Sequence, residues 1–495
     1  MVRERFYNSL DGIFQTNPKR FWSIFKLNNK QSSVPDIMSM RNAAEPESSQ
    51  TYDVSTPTAI ANLFNRYFTS VFNTDHDNLD ERSSPPSTSG QSDLQLTIEE
   101  VARTLLTLDT TKATGPDGIP SRLLKETAWQ IAPSLTQIFN KSLSCGEIPD
   151  EWKLANIVPV HKKGEKSQVE NYRPISLLSI ISKVLERCVL RNIRDHLLQL
   201  INDSQHGFIP RKLCTTQLLE VLDYIGSLLD GGKQADVVYM DMFKAFNKVH
   251  HKYLISKLRN VYGISGKLLR WFESYLINRK QGVTVLGATS SARPVLSGVL
   301  QGSILGPILF LLYANDLPDA VEHSKIASFA NDTKLFKKVD STSDAISLQS
   351  DLSSLENWST SSGLVFNQDK CKCQRVTRKK NPIKYEYKIN NKSLVVTEKE
   401  KDLGIRITDT LNWSYHTLDH CAKANKMLGF LRRAAMKITN VNIRRTLYLS
   451  IVRSTLGYAT QVWSPQSIDL ITRTERIQRR ATKFILKLPY VCGET

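Results

Sequence analysis

Residues 236–246 read DVVYMDMFKAF and residues 325–332 read KIASFAND, and these two stretches decide how the chain folds. Each opens with a short apolar run, which is typical of a buried β-strand. The first run ends at Asp241 and the second at Asn331 and Asp332. If the two strands pair, the two aspartates meet at one site, where their carboxylate oxygens can bind paired Mg²⁺ ions.

The alternative role of both aspartates is structural, because an Asp after an apolar run more often ends a strand or occupies a turn. Between the two stretches lies a third, Ser297–Pro307, which reads SGVLQGSILGP. This surrounding sequence, rather than the aspartates alone, favours the metal site.

The composition indicates a basic globular protein. Of the 495 residues, 66 are Lys or Arg and 48 are Asp or Glu, which gives a net charge of +18, and 40% are hydrophobic. Such a charge attracts polyanions, foremost nucleic acid and secondly an anionic membrane surface, and the apolar share excludes a globally disordered chain. The longest apolar stretch, around Ile304–Ala314, is too short to span a membrane.

The cysteines and the N-terminus predict an intracellular protein. Seven scattered cysteines indicate reduced thiols, and no second Cys or His pair accompanies Cys371 and Cys373 at the spacing of a zinc site. The first residues, MVRERFYNSLDG, carry charges where a secretory signal has its apolar core, so secretion is not expected.

Helices are predicted throughout the first 75 residues. One begins at Pro18, and its apolar face consists of Phe21, Trp22, Ile24 and Phe25. A second helix is predicted near Thr58–Phe72. The polar, Pro- and Ser-rich stretch Asp77–Gln95 is predicted to be a linker, and Thr97 and Glu100 form a capping box that starts the next helix.

From the capping box to about residue 380, helices and short strands mix without regular alternation, which predicts an α+β fold. The predicted strands are Asn156–His161, Asp236–Met240 and Lys325–Phe329. The predicted helices are Ser176–Leu198 and Thr215–Leu229. After Leu411 the chain is helical and basic.

The order of several blocks resembles the reverse transcriptases of non-long-terminal-repeat retrotransposons, in the style of jockey. Besides the three stretches above, the blocks are Lys112–Pro120 (KATGPDGIP), Trp152–Gly164, Asn171–Ser176 (NYRPIS), Gln205–Phe208 (QHGF), Phe366–Lys372 (FNQDKCK) and Asp402–Ile405 (DLGI). Any one block is weak, but together they cover most of the chain in the order of the family.

The resemblance implies a right-hand polymerase of fingers, palm and thumb, in which the palm is an antiparallel sheet backed by helices. The implied division is an N-terminal helical extension (1–76), a linker (77–96), fingers with the first part of the palm (97–235), the rest of the palm with a primer-grip-like hairpin at Asp402 (236–410), and a helical basic thumb (411–495).

The resemblance also assigns the candidate metal ligands. Asp241 matches the first metal-binding carboxylate, with the backbone carbonyl of Met242 as a further ligand. Asn331 and Asp332 match a second motif that normally reads Phe-Ala-Asp-Asp, so Asn331 replaces the aspartate that usually binds both metals. The expected cofactors are two Mg²⁺ ions, with Mn²⁺ as a substitute. Because one carboxylate is lost, the rate of nucleotidyl transfer is expected to be lower by about a thousandfold or more.

Two further matches concern the nucleotide. Phe246 matches the side chain under the incoming sugar, where a ring collides with a ribose 2′-hydroxyl; its alternative role is core packing. Gln301 and Gly302 match the motif against the template base and the incoming nucleotide, since glycine suits a close backbone approach; their alternative is a strand-to-helix turn.

Five basic residues are candidates for positions that handle phosphate. Arg173 and either Lys162 or Lys163 match cations that grip the triphosphate, although basic loop residues are more often simply solvated. Lys370 matches a lysine that protonates the leaving pyrophosphate, and Lys372 is a close rival.

The C-terminal helix carries two stripes at helical spacing. The basic stripe is Arg476, Arg480, Lys483 and Lys487. The apolar stripe is Ile477, Ala481, Phe484 and Leu488. The apolar stripe is predicted to pack and the basic one to track phosphates, the alternative being a solvated helix face. The family's thumb in this region favours phosphate contact.

Milder departures from the family pattern are Leu300 in place of a usual Pro, Asn247 in place of a common Asp, and Ile209–Lys212 in place of a glycine-rich turn. The sequence also predicts a fragment or a decaying copy, because neither the family's endonuclease nor a Cys/His-rich tail is found before Thr495.

The predicted function is RNA-directed DNA synthesis by two-metal nucleotidyl transfer. The expected partners are an RNA template, a DNA primer with a 3′-hydroxyl and deoxynucleoside triphosphates, with no membrane and no particular oligomeric state. By resemblance, the primer is nicked chromosomal DNA, the template is the element's own RNA, and the compartment is the nucleus. The alternative is a catalytically dead remnant that still binds nucleic acid.

Overall fold

A computed structural model describes residues 34–41, 51–73, 92–436 and 438–488, together with Gly12 and Trp22. Helices and strands mix irregularly along these residues, as predicted. Of the apolar face predicted after Pro18, only Trp22 is described, and it packs against the C-terminal helices. The remaining members of that face, Phe21, Ile24 and Phe25, and most of the predicted linker lie outside the described residues.

Most of the strands lie between residues 154 and 408, with helices interspersed among them. The strands are β1 (Met38–Arg41), β2 (Thr51–Val54), β3 (Leu154–His161), β4 (Tyr172–Leu177), β5 (Ala235–Asp241), β6 (Lys280–Val285), β7 (Ala288–Thr289), β8 (Arg293–Pro294), β9 (Lys325–Phe329), β10 (Asp332–Lys338), β11 (Lys372–Val376), β12 (Lys388–Ile389), β13 (Lys392–Ser393), β14 (Val395–Val396), β15 (Lys399–Asp402) and β16 (Ile405–Thr408). The helices are α1 (Pro57–Ser70), α2 (Ile98–Leu106), α3 (Ser121–Glu126), α4 (Ala128–Cys145), α5 (Ile180–Gln199), α6 (Cys214–Asp230), α7 (Ala245–Lys248), α8 (His251–Asn260), α9 (Gly266–Leu276), α10 (Gly306–Tyr313), α11 (Thr342–Ser362), α12 (Ser414–Ala434), α13 (Val441–Leu447), α14 (Ser454–Leu456), α15 (Thr460–Trp463) and α16 (Ile468–Leu486). Short 3₁₀ segments lie at Asp150–Lys153, Val169–Asn171 and Leu317–Ala320, and the π-helical segment Tyr448–Arg453 follows α13.

The predicted strands and most predicted helices are confirmed. β9 has the predicted bounds, and β5 and α6 each extend one residue further at both ends. The capping box is also present: the Glu100 N–H donates to the Thr97 hydroxyl at 3.2 Å, and the Thr97 N–H donates to the Glu100 carboxylate at 2.9 Å. Local patterns therefore predicted these elements well.

The prediction of helices alone in the first 75 residues is wrong. α1 is present, but β1 and β2 precede it as an antiparallel pair in which Met38 lies opposite Val54. Met38 is buried and Ser39 donates to the Asp53 carboxylate at 2.6 Å. The alternation of Met38, Ser39 and Met40 is a two-residue period, which favours a strand over a helix.

The predicted start of a helix at Ser176 is also wrong. Ser176 belongs to β4, and α5 begins four residues later, where the Ser179 hydroxyl accepts a hydrogen bond from the Ser182 N–H. Pro174 lies in the middle of β4, pairs with Pro159 of β3 and keeps this segment extended.

One sheet is formed by β4, β3, β6 and β7 in this order, with β8 also paired to β6. β3 is antiparallel to β4 and parallel to β6. Helix α1 covers this sheet, because its buried Ile60 and Phe64 pack with Ala155 of β3 and Val283 of β6.

The central sheet has the order β14, β11, β5, β10 and β9, and is antiparallel except for the short β11–β14 pair. Helices cover both of its faces. On one face Val238 and Leu335 join the large core that contains Phe310 of α10. On the other face Val237 packs with Val221 of α6. Asp241 lies two residues beyond Tyr239, which packs at the edge of this cluster, and so points to the same face of the sheet.

The C-terminal helices α12, α13, α14 and α16 form a separate core around residues such as Leu428, Leu447 and Ile477, whereas Trp463 of α15 packs with Leu218 of α6. They follow the hairpin of β15 and β16, which turns at Leu403 and Gly404, both with positive φ. No helix within the described parts of the chain is long and apolar enough to cross a membrane.

The two stripes predicted on the last helix are correct only up to residue 486. Ile477, Ala481 and Phe484 are buried as predicted. Lys487 takes a left-handed conformation with φ of 56° and ends α16, so Leu488 leaves the helical phase and half of its surface is exposed. Lys487 therefore does not continue the basic stripe along the helix.

Folding of the C-terminal region is expected to be sensitive to acid through His416. This side chain is fully buried, its ring lies 4.8 Å from that of Trp463, and its Nδ1 accepts a hydrogen bond from the Arg406 N–H. Burial, with the neighbouring charge of His420, lowers the pKa of His416 to about 3. The unfolded chain binds a proton at pKa near 6.5, so between these two values the unfolded state holds more protons and stability falls as the pH falls.

Between pH 7.5 and pH 5.5 this difference in proton binding lowers the free energy of unfolding by about 1 kcal/mol. Replacing His416 by Asn, whose amide oxygen takes the place of Nδ1, should reduce the acid-induced loss in the free energy of unfolding by about this amount. Urea titrations at the two pH values measure it. The exposed His323→Asn is the control, and an acid response of His416→Asn equal to that of the control would contradict the prediction.

Candidate active site

The carboxyl end of β5 and the first residue of β10 bring two aspartates together. Asp241 and Asp332 are directly opposite each other in the antiparallel register, and opposed residues point to the same face of a sheet. Only Ala330 and Asn331 separate β10 from β9, so the turn carries Asn331 beside the same pair. The structure thus brings together the three residues that the sequence singled out.

Both carboxylate oxygens of Asp241 have a partner. The Asn331 side-chain amide donates to Oδ1 at 3.0 Å, and the Lys370 ammonium contacts Oδ2. Lys372 instead pairs with Glu400 at 2.8 Å and does not line the cavity beside Asp241. Of the two rival lysines, Lys370 is therefore the one that reaches Asp241.

Negative charge is concentrated at this end of the sheet. Loss of hydration raises the pKa of Asp332, and the negative charges of Asp241 and Asp402 add to the shift. Behind them, Asp402 of the β15–β16 hairpin forms a buried ion pair with Lys334 of β10. A cation placed between the two aspartates would relieve this repulsion.

The oxygen donors around Asp241 are of the kind that a divalent ion needs. Among the described residues, no cluster of three or more His, Cys, Asp and Glu side chains is arranged around a common point. Asp241 and Asp332 supply two carboxylates, and the Asn331 amide oxygen and the Met242 carbonyl would be further hard oxygen donors of the kind that Mg²⁺ and Mn²⁺ prefer. The set fits a divalent cation but has one carboxylate fewer than the family motif.

A cavity of about 250 Å³ lies beside Asp241 and is surrounded by positive charge. Its predicted cationic residues are Lys162, Lys163, Arg173 and Lys370. Loss of hydration and the positive charges of Arg173 and Lys370 lower the pKa of Lys162. Such a cavity is suited to a polyphosphate next to a carboxylate site.

The β3–β4 hairpin positions three of these cations. Arg173 lies opposite Val160 in the strand register, and the Lys162 N–H donates to the Asn171 carbonyl at 2.8 Å where the loop begins. Lys162, Lys163 and Arg173 are all exposed towards the cavity and solvent. The structure therefore leaves both candidate lysines within the loop that borders the cavity.

Lys244 is a cationic residue of the cavity that sequence reasoning missed. It has a positive φ of 47°, and its ammonium contacts the hydroxyl of Tyr67 in α1 and lies 4.0 Å from the centre of that ring. Burial lowers the pKa of Lys244 to about 8. Only the tertiary packing of α1 reveals this contact, although Lys244 lies inside the motif around Asp241.

Phe246 lies in the cavity wall and also packs against the core. Its ring stacks on Phe310 with centres 4.7 Å apart, and Phe208 meets it edge-on at 6.3 Å. It is half-buried and lines the cavity. Phe246 therefore both packs against the core and lines the cavity.

Gln301 and Gly302 lie where the cavity meets β4. The Gln301 carbonyl accepts from the Ser176 N–H at 2.7 Å, and Gln301 lines the cavity. Gly302 has φ of 120°, and a Cβ on it would lie 2.5 Å from the Ser176 carbonyl oxygen. Glycine is therefore required here by the chain's own strand.

The basic residues of the C-terminal helix lie elsewhere. Arg476 and Arg480 are exposed on α16, where the Arg480 guanidinium donates to the Asn425 side chain at 3.0 Å. Lys483 borders a separate groove together with Lys487. None of the four lines the cavity beside Asp241.

Comparison with known proteins gives consistent matches. A family model for reverse transcriptase (RNA-dependent DNA polymerase) matches residues 160–400. The chain is 28% identical to the probable RNA-directed DNA polymerase from transposon BS of Drosophila melanogaster, over 79% of this chain and 45% of that protein. It is 27% identical to the RNA-directed DNA polymerase from mobile element jockey of the same fly, over 80% and 44%. A probable RNA-directed DNA polymerase from transposon X-element is 28% identical over 78% and 43%. The chain therefore spans less than half the length of these curated relatives.

Proposed function

Because residues 160–400 form a reverse transcriptase domain of the non-long-terminal-repeat retrotransposon type, we propose that the chain extends the 3′-hydroxyl of a DNA primer on an RNA template. The observation that carries this proposal is the opposition of Asp241 and Asp332 beside a cation-lined cavity. Deoxynucleoside triphosphates are the proposed substrates.

Asp241, Asp332, the Asn331 amide oxygen and the Met242 carbonyl would hold divalent cations, with Mg²⁺ as the first choice. When bound, such ions lower the pKa of the primer hydroxyl and offset charge on the pyrophosphate that leaves. Asn331 also donates to Asp241, and this hydrogen bond fixes the side chain that the cations would share.

The cavity residues bind and orient the nucleotide in this proposal. Arg173 with Lys162 or Lys163 would hold the triphosphate, and Lys370 would give a proton to the leaving pyrophosphate. Phe246 would lie under the sugar, where its ring, held by Phe310, leaves no room for a 2′-hydroxyl.

In polymerase terms, the central sheet is the proposed palm and the region before it the fingers. The β15–β16 hairpin would hold the primer end, since Asp402 is tied to β10 through Lys334. The C-terminal helices would form the thumb, where Arg476 and Arg480 face solvent and Lys483 borders a groove available to nucleic acid phosphates. Nicked chromosomal DNA as primer and the nucleus as compartment follow from the same proposal.

A remnant that only binds nucleic acid is not the favoured function. Asp241, Lys370 and the cationic loop line the cavity and Asp332 lies opposite Asp241, so in this proposal Asn331 weakens a site whose other groups are present.

RNA-templated primer extension tests the proposed function. The unmodified chain and its Asn331→Asp form are incubated with a labelled DNA primer on an RNA template, in Mg²⁺ and in Mn²⁺. We expect the Asn331→Asp form to give products that stop at the template position where an omitted nucleotide is required, and to give none with EDTA. Absence of template-directed products from both forms in both metals would contradict the proposal.

A further inference from the structure

The Ala330–Asn331 turn has an unfavourable backbone conformation, which contacts from other residues must stabilise. Ala330 has φ of 56°, a left-handed conformation that disfavours a residue with a Cβ atom. Two-residue turns between antiparallel strands usually meet this requirement with glycine. Here the turn determines where Asn331 and Asp332 stand, so its conformation matters for the site.

The side chain of Gln205 forms hydrogen bonds with both the N–H and the carbonyl of Ala330. Its Oε1 accepts from the Ala330 N–H at 2.8 Å and from the Gly207 N–H at 2.7 Å. Its Nε2 donates to the Ala330 carbonyl at 3.4 Å. One side chain therefore engages the donor and the acceptor of the residue in the left-handed conformation.

The backbone around Gln205 is itself fixed to β9. The His206 N–H donates to the Ser328 carbonyl at 2.8 Å, and the Ser328 N–H donates to the Ser204 carbonyl at 2.9 Å. Gly207 permits the close approach, because a Cβ there would lie 2.3 Å from the Ala330 nitrogen. This segment thus extends the edge of the central sheet and holds Gln205 against the turn.

We propose that Gln205 is a positioning residue, which holds the Ala330–Asn331 turn so that Asn331 and Asp332 face Asp241. The proposal rests on the proposed function of this site. Gln205 does not line the cavity, and it acts only through the turn. A misplacement of about 1 Å at a reacting centre lowers a rate by about a hundredfold, so loss of these bonds should affect turnover strongly.

The test uses the Asn331→Asp form as the parent and adds changes at Gln205. Gln205→Met keeps the side-chain size and removes all three hydrogen bonds. We expect the turnover number for primer extension to fall by about ten- to a hundredfold, the KM for nucleotide to change by less than about threefold, and the dissociation constant for Mn²⁺, measured from the spectrum of free Mn²⁺, to rise about tenfold. Gln205→Glu, which keeps both strong acceptor contacts, should recover most of the turnover.

Gln349→Met is the matched control, because Gln349 also forms hydrogen bonds with the N–H and the carbonyl of one backbone residue, Lys388, and neither residue lines the cavity. It should change neither turnover nor Mn²⁺ affinity. Gln205→Asn, too short to reach Ala330, serves as a second loss variant if Gln205→Met does not fold. Turnover and Mn²⁺ affinity within twofold of the parent in a folded loss variant would overturn the inference. If the parent itself extends no primer, the proposed function fails, whereas the Mn²⁺ affinities still decide the role of Gln205.

Discussion

Replacing Asn331 by Asp is expected to raise the rate of RNA-templated primer extension by about a thousandfold or more, which corresponds to about 4 kcal/mol of activation free energy. The reason is the charge of the donor set. Two carboxylates, Asp241 and Asp332, face each other across β5 and β10, and Asn331 adds an amide where the family motif has a third carboxylate. Restoring that carboxylate would add a third negative charge to the residues that would hold the cations.

Without metal, the Asn331→Asp change should lower the stability of the folded chain. Asn331 now donates to Asp241 at 3.0 Å, and an Asp in its place would replace this hydrogen bond with like-charge repulsion. We therefore expect the Asn331→Asp form to unfold at a lower temperature than the unmodified chain in EDTA, and to gain more stability when Mg²⁺ or Mn²⁺ is added.

Asn391→Asp is the matched control for the added charge. Asn391 is exposed in the tight turn between β12 and β13, with φ of 61°. This variant should leave both the extension rate and the metal response unchanged. If the unmodified chain extends primers as fast as the Asn331→Asp form, the assignment of Asn331 as a metal ligand is wrong.

Replacing Asp241 by Ala in the Asn331→Asp form is expected to lower the rate of primer extension by about a thousandfold or more, which abolishes the gain from the Asn331→Asp change. Asp241 contacts Lys370 and Asn331 and lies opposite Asp332, so its removal takes away the shared carboxylate and leaves the Lys370 ammonium without its counterion. Retention of primer–template should remain salt-dependent, because it depends on the surface cations rather than on this site.

Asp230→Ala is the control for loss of an aspartate in an ion pair, since Asp230 contacts Arg378 at 3.6 Å on the exposed end of α6. It should extend primers at the rate of the parent. Extension by the Asp241→Ala variant at more than about a tenth of the parental rate would contradict the catalytic role of Asp241.

The sequence allowed the core of the fold and the family to be predicted. The apolar runs before Asp241 and Asn331 are strands β5 and β9, as predicted, but they do not pair with each other. β10, which begins at Asp332 and was not predicted, lies between them and sets the two aspartates opposite each other. The resemblance to non-long-terminal-repeat reverse transcriptases, which depends on the order of several short blocks, is confirmed by the family model and the relatives. These features are local or repeated along the chain, so a single sequence can reveal them.

What was missed depends on tertiary contacts. β1 and β2 are too short for their two-residue period to outweigh the helical patterns around them. The contact between Lys244 and Tyr67 joins residues that are 177 positions apart, and nothing in the local pattern predicts it. Likewise, only the structure separates Lys370, which reaches Asp241, from Lys372, which reaches Glu400.

Two motif residues have a structural role that the sequence left undecided. Gly302 is required by the approach of Ser176, and Phe246 is stacked on Phe310 whether or not a nucleotide is bound. These contacts do not exclude the proposed roles in nucleotide binding. Phe246 lines the cavity and Gly302 directly follows Gln301, which also lines it, so a packing role and a binding role are compatible.

The central claim is that the ends of β5 and β10 hold the catalytic cations. The most direct test is a crystal structure of the Asn331→Asp form with Mn²⁺, a dideoxy-terminated primer on an RNA template and the next nucleotide, with anomalous scattering used to locate manganese. We predict manganese within about 2.5 Å of carboxylate oxygens of both Asp241 and Asp332. Manganese found only at positions more than about 4 Å from both aspartates would contradict the claim.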